Sequence, residues 1–409
     1  MHKLRMFSPQ RRILGVVIAS GLVVAASACS SSGGESSAVN QSASGKAPYT
    51  VAMIGDMSGP YASIVSHGVG GFETAIDAVN AAGGVNGRKI VVGSPLDAQS
   101  TATGAETAFR QAVGQAPDAI FMTTASTEIA DTAPVAEGAG ITLLAVANDD
   151  GQAVPPKPYY YSATLSSTAA GQGYTNAIKQ NLGTLKGKNV AIIVDDSVST
   201  VEYGQKLQAL VQAGGGRISS FIKNDPVVTS FTTQAGQVMQ NPPDAIMLND
   251  SPTNTVVEVT ALKAAGYKGP IFGGTAADDD ATLQKTAELG ADYLGPRELN
   301  TPVSGDAAWN AAVKYGHEAD ASDGIYFSKG YILGYAFVAG LKKCGDSCNA
   351  KSLPAAMASV TDISAPGNIP FGEVGFSSSS HVAEKSIQFY KYDTAQKKVV
   401  ADGGPISVS

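Results

Sequence analysis

From Tyr49 onward the chain alternates short apolar runs with segments whose apolar residues recur at helical spacing, and that alternation restarts partway along. A chain with this rhythm is committed to strands flanked by helices, the pattern of a doubly wound α/β sheet. Tyr49 to Gly55 reads as a strand buried on both faces of a parallel sheet. A loop from Asp56 to Tyr61 follows, and Phe72, Ala75, Ile76 and Val79 then predict a helix that Gly83 and Gly84 stop. Further strands are predicted at Lys89 to Val92, Asp118 to Met122 and Ile141 to Val146, with helices at Gln99 to Val113 and Glu128 to Gly138.

The second series predicts strands at Asn189 to Val194, Arg217 to Ile222, Asp244 to Leu248 and Pro270 to Phe272. Its helices are Tyr203 to Ala213, Phe231 to Met239 and Val256 to Ala265. The two units join near Tyr159 to Thr164. Tyr326 to Lys342 predicts a long buried apolar helix, and Ser386 to Tyr392 with Lys397 to Ala401 a late hairpin. The 409 residues exceed what one domain ordinarily needs.

The N-terminus has the parts of a signal peptide. Lys3, Arg5, Arg11 and Arg12 form a basic region, Ile13 to Ala26 an apolar one, and Ala26, Ser27 and Ala28 precede Cys29. Small residues before Cys resemble a bacterial lipobox, with Ala26 where Leu is usual. Lipidation of Cys29 is one outcome; cleavage after Ala28 that leaves a free thiol is the other. The Ser-, Gly- and Ala-rich stretch that follows reads as a flexible tether. Residues 1–28 are thus expected to be a lipoprotein signal peptide, and residues 29–48 the lipidated Cys and tether. Loss of the signal peptide removes four positive charges and no negative one, which takes the formal net charge from −7 to −11. So acidic a chain is poorly suited to nucleic acid. Cys344 and Cys348 close a short loop, where a disulfide is the simplest reading. A metal site there lacks further ligands.

Asn80-Ala81-Ala82-Gly83-Gly84-Val85-Asn86-Gly87-Arg88-Lys89-Ile90, after a strand, Ser58-Gly59-Pro60 and a helix, resembles the N-terminal lobe of the leucine/isoleucine/valine-binding protein family. Pro134 to Ile141, Val190 to Asp196 with Tyr203-Gly204, and Leu262 to Tyr267 before Pro270 to Gly274 agree in order and spacing. The resemblance covers about residues 49 to 400. It implies two Rossmann-like, doubly wound lobes joined by a three-strand hinge. Lobe one would be 49–163 with 297–365, and lobe two 164–296 with 366–409. It also implies the extracytoplasmic substrate-binding component of an ABC importer, a monomer without cofactor. Such a protein captures a small polar solute, a branched-chain or other amino acid or a related compound, and passes it to membrane permease subunits. A ligand sensor of the same fold, or binding of amides, urea or organic acids, are the alternatives.

Ligands of open α/β sheets sit beyond the carboxyl ends of the strands, against helix N-termini. Ser58 and Tyr61 follow the first strand. Thr124, Ser126 and Thr127 follow the third, where the family holds a carboxylate; Ser126 is equally suited to cap the helix. Met122-Thr123 stands where the family usually has Gly-Pro. Asn148 and Asp149 follow the fourth strand, and Asp149 is either a partner for a ligand ammonium or a solvated loop charge. Tyr203 matches a family aromatic that covers the ligand, and Tyr160 lies near the first crossover; both also suit plain packing. Asp195, Asp196 and Ser197, then Asn249, Asp250 and Ser251, and Thr275 end strands of the second unit. An acid there could hold an ammonium in a dry cleft. Asp278, Asp279 and Asp280 read as a solvated acidic turn, and Trp309 as a packing residue in a helix.

Motifs of catalysis are missing. His67, His317 and His381 form no metal-ligand pair of the His-Glu-x-x-His kind, and no Gly-x-Ser-x-Gly elbow occurs. Gly68-Val69-Gly70-Gly71 follows no strand, so it is no dinucleotide fingerprint, and Gly183 to Lys188 lacks phosphate-loop spacing. The expectation is a binding protein and not an enzyme.

Overall fold

The computed structural model describes residues 45–225, 227–275, 277–322 and 324–408. The expected signal peptide, Cys29 and most of the tether lie outside the described residues. The first sheet is built from β1 (Tyr49–Gly55), β2 (Ile90–Val92), β3 (Leu96–Asp97), β4 (Ala119–Thr123), β5 (Thr142–Ala145) and β6 (Tyr160–Ser162). Its helices are α1 (Ala62–Val65), α2 (His67–Ala81), α3 (Ala102–Gly114), α4 (Ser126–Ala139) and α5 (Asp150–Ala153). The strands run in the order β2-β1-β4-β5-β6, with β3 also on β1, and all pairings are parallel. β4 is buried at every residue because helices cover both faces, which is why it reads as a continuous apolar run.

The second sheet uses β7 (Asn189–Asp195), β8 (Arg217–Asn224), β9 (Ala245–Asn249), β10 (Pro270–Gly273) and β11 (Asp292–Arg297). Between and before these strands come α6 (Ser167–Leu182), α7 (Val198–Ala213), α8 (Thr232–Gln240), α9 (Pro252–Ala264) and α10 (Asp280–Glu288). The chain then returns to the first sheet through α11 (Ala307–Tyr315), α12 (Glu318–Ser322), α13 (Ile325–Cys344) and α14 (Leu353–Met357). It ends on the second with β12 (Ser386–Asp393), β13 (Lys398–Ala401) and β14 (Ile406–Ser407). The order is β13-β12-β11-β10-β9-β7-β8, parallel from β8 to β11 and antiparallel at β12, β13 and β14. The architecture is therefore two α/β lobes of mostly parallel strands.

Core membership marks where the chain changes lobe. Ala163 packs in the first core and Leu165 in the second; Leu294 belongs to the second and Leu299 to the first; Ala383 belongs to the first and Ile387 to the second. The last passage thus falls beyond the expected 365/366 boundary. Ile369, Val374 and Phe376 are buried in the first core, and a segment that contributes apolar side chains to one core stays with it.

The glycines near residue 70 have a packing function. A Cβ on Gly71 would fall 1.9 Å from the carbonyl oxygen of Phe327, and one on Gly330 would fall 2.0 Å from that of Gly68. Only glycine lets α2 and α13 approach so closely. The family-like run after α2 is also scaffold. Asn80 brackets Ile90, accepting from its amide at 2.9 Å and donating to its carbonyl at 2.8 Å. Arg88 lies over the Tyr49 ring and donates to the carbonyl of Ala47 at 2.6 Å. Cys344, at the end of α13, is joined to Cys348 in a disulfide. Trp309 packs half-buried against the first core. The acidic turn is not the solvated one expected. Asp278 is buried beside Arg297, Asp279 caps α10 by accepting from the Thr282 amide at 2.9 Å, and only Asp280 is exposed.

Candidate functional site between the two sheets

The carboxyl ends of β1, β4 and β5 face those of β7, β9 and β10, and a narrow cavity lies between them. Tyr61, Ser126 and Thr164 line it from one side, and Asp195, Ser199, Thr200, Tyr203, Asn249 and Thr275 from the other. Tyr326 and Lys329 of α13 reach it as well. Two hydrogen bonds cross it. The Tyr61 hydroxyl donates to Asp195 Oδ2 at 3.0 Å, and the Ser199 amide donates to Ser126 Oγ at 3.1 Å. The lobes are therefore closed on each other.

The expected residues separate into two groups. Tyr61, Ser126, Tyr203 and Thr275 line the cavity. Asp250 is fully buried just behind Asn249; its Oδ1 accepts from the Ser251 amide at 2.7 Å and from Asn254 Nδ2 at 2.8 Å. The remainder are engaged elsewhere. Ser58 is exposed and donates to Asp97 Oδ2 at 2.7 Å. Thr124 is buried and its hydroxyl donates to the carbonyl of Ala125; Thr127, one residue past the cavity-lining Ser126, is half-buried. Asn148 donates to Asp150, and Asp149 caps α5 by accepting from the Gly151 amide at 2.9 Å. Asp149 is thus neither a solvated charge nor a cavity-lining group. Tyr160 is fixed by donating to the carbonyl of Ala147 at 2.9 Å while accepting from the Asp149 amide at 3.1 Å.

Three further residues complete the site: Asp195 and Asn249, which the sequence places at strand ends without separating them from their neighbours, and Lys329, which it does not single out. Asp195 ends β7, where its Oδ1 accepts from the Ser197 amide at 3.0 Å and from Thr200 Oγ1 while Oδ2 faces Tyr61. Asn249 ends β9, is 1 % exposed, and has no hydrogen-bond partner for either amide atom among the described residues. Its Oδ1 lies so near Gly274 that a Cβ there would come within 1.7 Å. Lys329 lies in the buried part of α13, well ahead of Lys342 and Lys343 in its last turn; its Nζ is 3.0 Å from Glu298 Oε2, with both side chains buried. A Lys within the apolar stretch of a helix, away from its terminal Lys342 and Lys343, is the signal that could have found it, since an unpaired buried ammonium would be too costly.

The electrostatics are dominated by acids. Burial, then the neighbouring Asp195, pushes Asp250 up to about 6. Burial, then Asp56, pushes Glu128 in the first turn of α4 up to about 7, and burial pushes Asp56 itself up to about 6. Glu258 is raised well above its ordinary value by burial and then by Asp250. Burial opposes the charge of Lys329, yet the adjacent Glu298 overcomes it and its pKa is raised. Such a site can hold and desolvate a small polar molecule. Among the described residues no group of three or more His, Cys, Asp or Glu side chains is arranged to hold a metal ion.

No curated protein matches the chain in sequence. Solved structures match in fold. The branched-chain amino acid transporter substrate-binding protein LivJ from Streptococcus pneumoniae, in complex with isoleucine, aligns with a TM-score of 0.70 at 19% identity, covering 87% of this chain and 100% of that one. A solute-binding protein of an ABC transporter from R. palustris, in complex with 4-hydroxybenzoate, aligns at 0.73 and 17% identity, covering 89% and 98%. A fatty acid ABC transporter substrate-binding protein from Thermomonospora curvata aligns at 0.74 and 15% identity, covering 88% and 93%. With two parallel-stranded lobes closed on a polar cavity, and a family model matched over residues 48–398, this chain belongs to the periplasmic binding protein family.

Proposed function

We propose that the chain is the extracytoplasmic substrate-binding component of an ABC importer, capturing a small polar solute, an amino acid or related compound, between its lobes. The observation that carries this reading is the cavity between opposing strand ends, bridged by Tyr61 and Asp195. A contact of that kind exists only when the lobes close, and closure around a solute is what a hinge-joined pair of lobes provides. Membership in the family supports it, and the three solved relatives are substrate- or solute-binding proteins of transporters.

In this reading Cys29 carries lipid and the segment up to residue 48 tethers the lobes near the permease subunits. The test is uptake: deletion of the gene should abolish import of the bound solute, and the gene supplied in trans should restore it. Unchanged uptake together with a lost transcriptional response to that solute would instead make the protein a sensor. Cys29→Ser should release the protein from the membrane fraction.

A further inference from the structure

We infer that the solute is an aliphatic amine, a molecule with a cationic nitrogen and no carboxylate, held with its nitrogen against Asp195 and Asn249. This rests on the reading above that the lobes capture a solute, and departs from it in one respect: the solute lacks the carboxylate of an amino acid. Four observations converge on it.

The lobe-two wall presents an acid and, beside it, an amide whose own hydrogen-bonding capacity is unused. Asp195 lines the cavity and is 2 % exposed. Beside it the Asn249 side chain is buried with both amide atoms unpartnered among the described residues. A buried amide costs free energy until something bonds to it. Its oxygen can accept from an ammonium that is simultaneously held by Asp195.

The aromatic lining suits the same group. Tyr61, Tyr203 and Tyr326 all border the cavity, and ring faces attract a desolvated cation.

The place where a carboxylate would bind is already taken by the chain's own acids. The N-terminal turn of α4 offers backbone N–H groups and a positive dipole end. Glu128 lies buried in that turn, and Asp56 draws on the backbone amides of Ser100, at 2.8 Å, and Ala125. Ser126 Oγ accepts from the Ser199 amide across the cleft. A second anion brought there would face two buried carboxylates.

The cavity's cation is committed as well. Lys329 pairs with Glu298, which also accepts from the Leu165 amide at 3.3 Å, and Glu384 is buried nearby. Lys329 is therefore offset by the chain's own acid, and a cationic solute is the one that suits Asp195.

The test is thermal-shift titration of the full chain with putrescine, cadaverine and agmatine, with leucine and benzoate alongside. At least one of the three amines should give a saturable rise in Tm, while leucine and benzoate give none. Calorimetry of the responding amine should then show at least a tenfold weaker Kd for Asn249→Ala and for Asp195→Asn, each shown folded by circular dichroism. A rise with leucine or benzoate and none with the amines overturns the amine and leaves solute capture standing. No rise with any of the five overturns the amine and counts against solute capture too. An amine whose affinity is unmoved in both variants overturns the assigned position.

Discussion

Tyr61 and Asp195 are 134 residues apart, one on each lobe, and the phenol hydroxyl of the first donates to the carboxylate of the second at 3.0 Å. Neither residue needs the other for folding, since Tyr61 precedes α1 in one lobe and Asp195 ends β7 in the other. Their bond reports closure. A hydrogen bond to a charged group contributes about 1.5–3 kcal/mol, and about 1.4 kcal/mol is a tenfold change in affinity. Tyr61→Phe should therefore weaken solute binding by roughly tenfold or more while leaving the Tm of the unliganded protein nearly unchanged. Calorimetry and a melting curve check this; an unaltered Kd would show that the bond forms only incidentally.

The glycines of α2 and α4 should respond oppositely to the same substitution. At Gly71 a Cβ meets the Phe327 carbonyl at 1.9 Å, so Gly71→Ala must push two packed helices apart, at a cost of about 1–3 kcal/mol or more. Gly138 is exposed in α4 with nothing within 4 Å of its Cβ position. Gly138→Ala should stabilise by about 0.5–1 kcal/mol through lower unfolded-state entropy. Urea unfolding midpoints for both variants decide it, and equal effects would contradict the packing argument.

How far the sequence reached follows from the same physics. Strands β1, β4, β7 and β9 are buried on both faces, so composition alone announces them. Helix α6 escaped because Ser, Gly, Ala and Thr fill Ser167–Leu182, although Ala170, Tyr174 and Ile178 repeat every four residues on its buried face. Strand β11 escaped because Gly295 and Pro296 interrupt it; it survives by pairing with β12. At the site, position after a strand end located Tyr61, Ser126 and Thr275 but could not tell them from Ser58 and Asp149, which stand at equivalent ends. What separates them is partnership: Asp97 engages Ser58, and the α5 amides engage Asp149. Those partners are distant in sequence or set by a short helix that no periodicity announces.

Lys329 and Glu298 make a pair whose removal should cost more than its presence gains. Both are buried, and deleting one partner strands the other's charge in the interior. Lys329→Met should destabilise by about 3–5 kcal/mol, and adding Glu298→Gln should recover a good part of that loss. Gln keeps an acceptor for the Leu165 amide. Because the folded-state pKa of Lys329 is raised, its contribution is fully present at neutral pH and is lost only as pH rises through that value, above 10.5. A double variant no more stable than Lys329→Met would show that packing, and not charge, dominates here.

The buried acids give the stability of the unliganded protein and its affinity for an amine opposite responses to pH. Asp250 titrates at about 6 when folded against an ordinary 3.8, and Glu128 at about 7 against 4.5. Asp250 faces Asp195 of β7, Glu258 and Asn254 of α9 and Asn224 of β8; Glu128 faces Asp56, Asp131 and Asp195. Both pKa values are raised, so between the ordinary and the folded values the native state holds protons that the unfolded chain has released. Their stabilising contribution is complete below pH 4 and is lost as pH climbs through about 6 to 7. Asp244, held low by the Asn189 amide, works the other way, so the contrast must be drawn against Asp250→Asn. Between pH 5 and pH 8 the wild type should lose more Tm than this variant does. A bound cation favours the ionised carboxylates, so amine affinity should rise over the same interval and the loss of Tm should shrink in the complex. An affinity that stays flat or falls with pH would mean that these acids do not sense the solute.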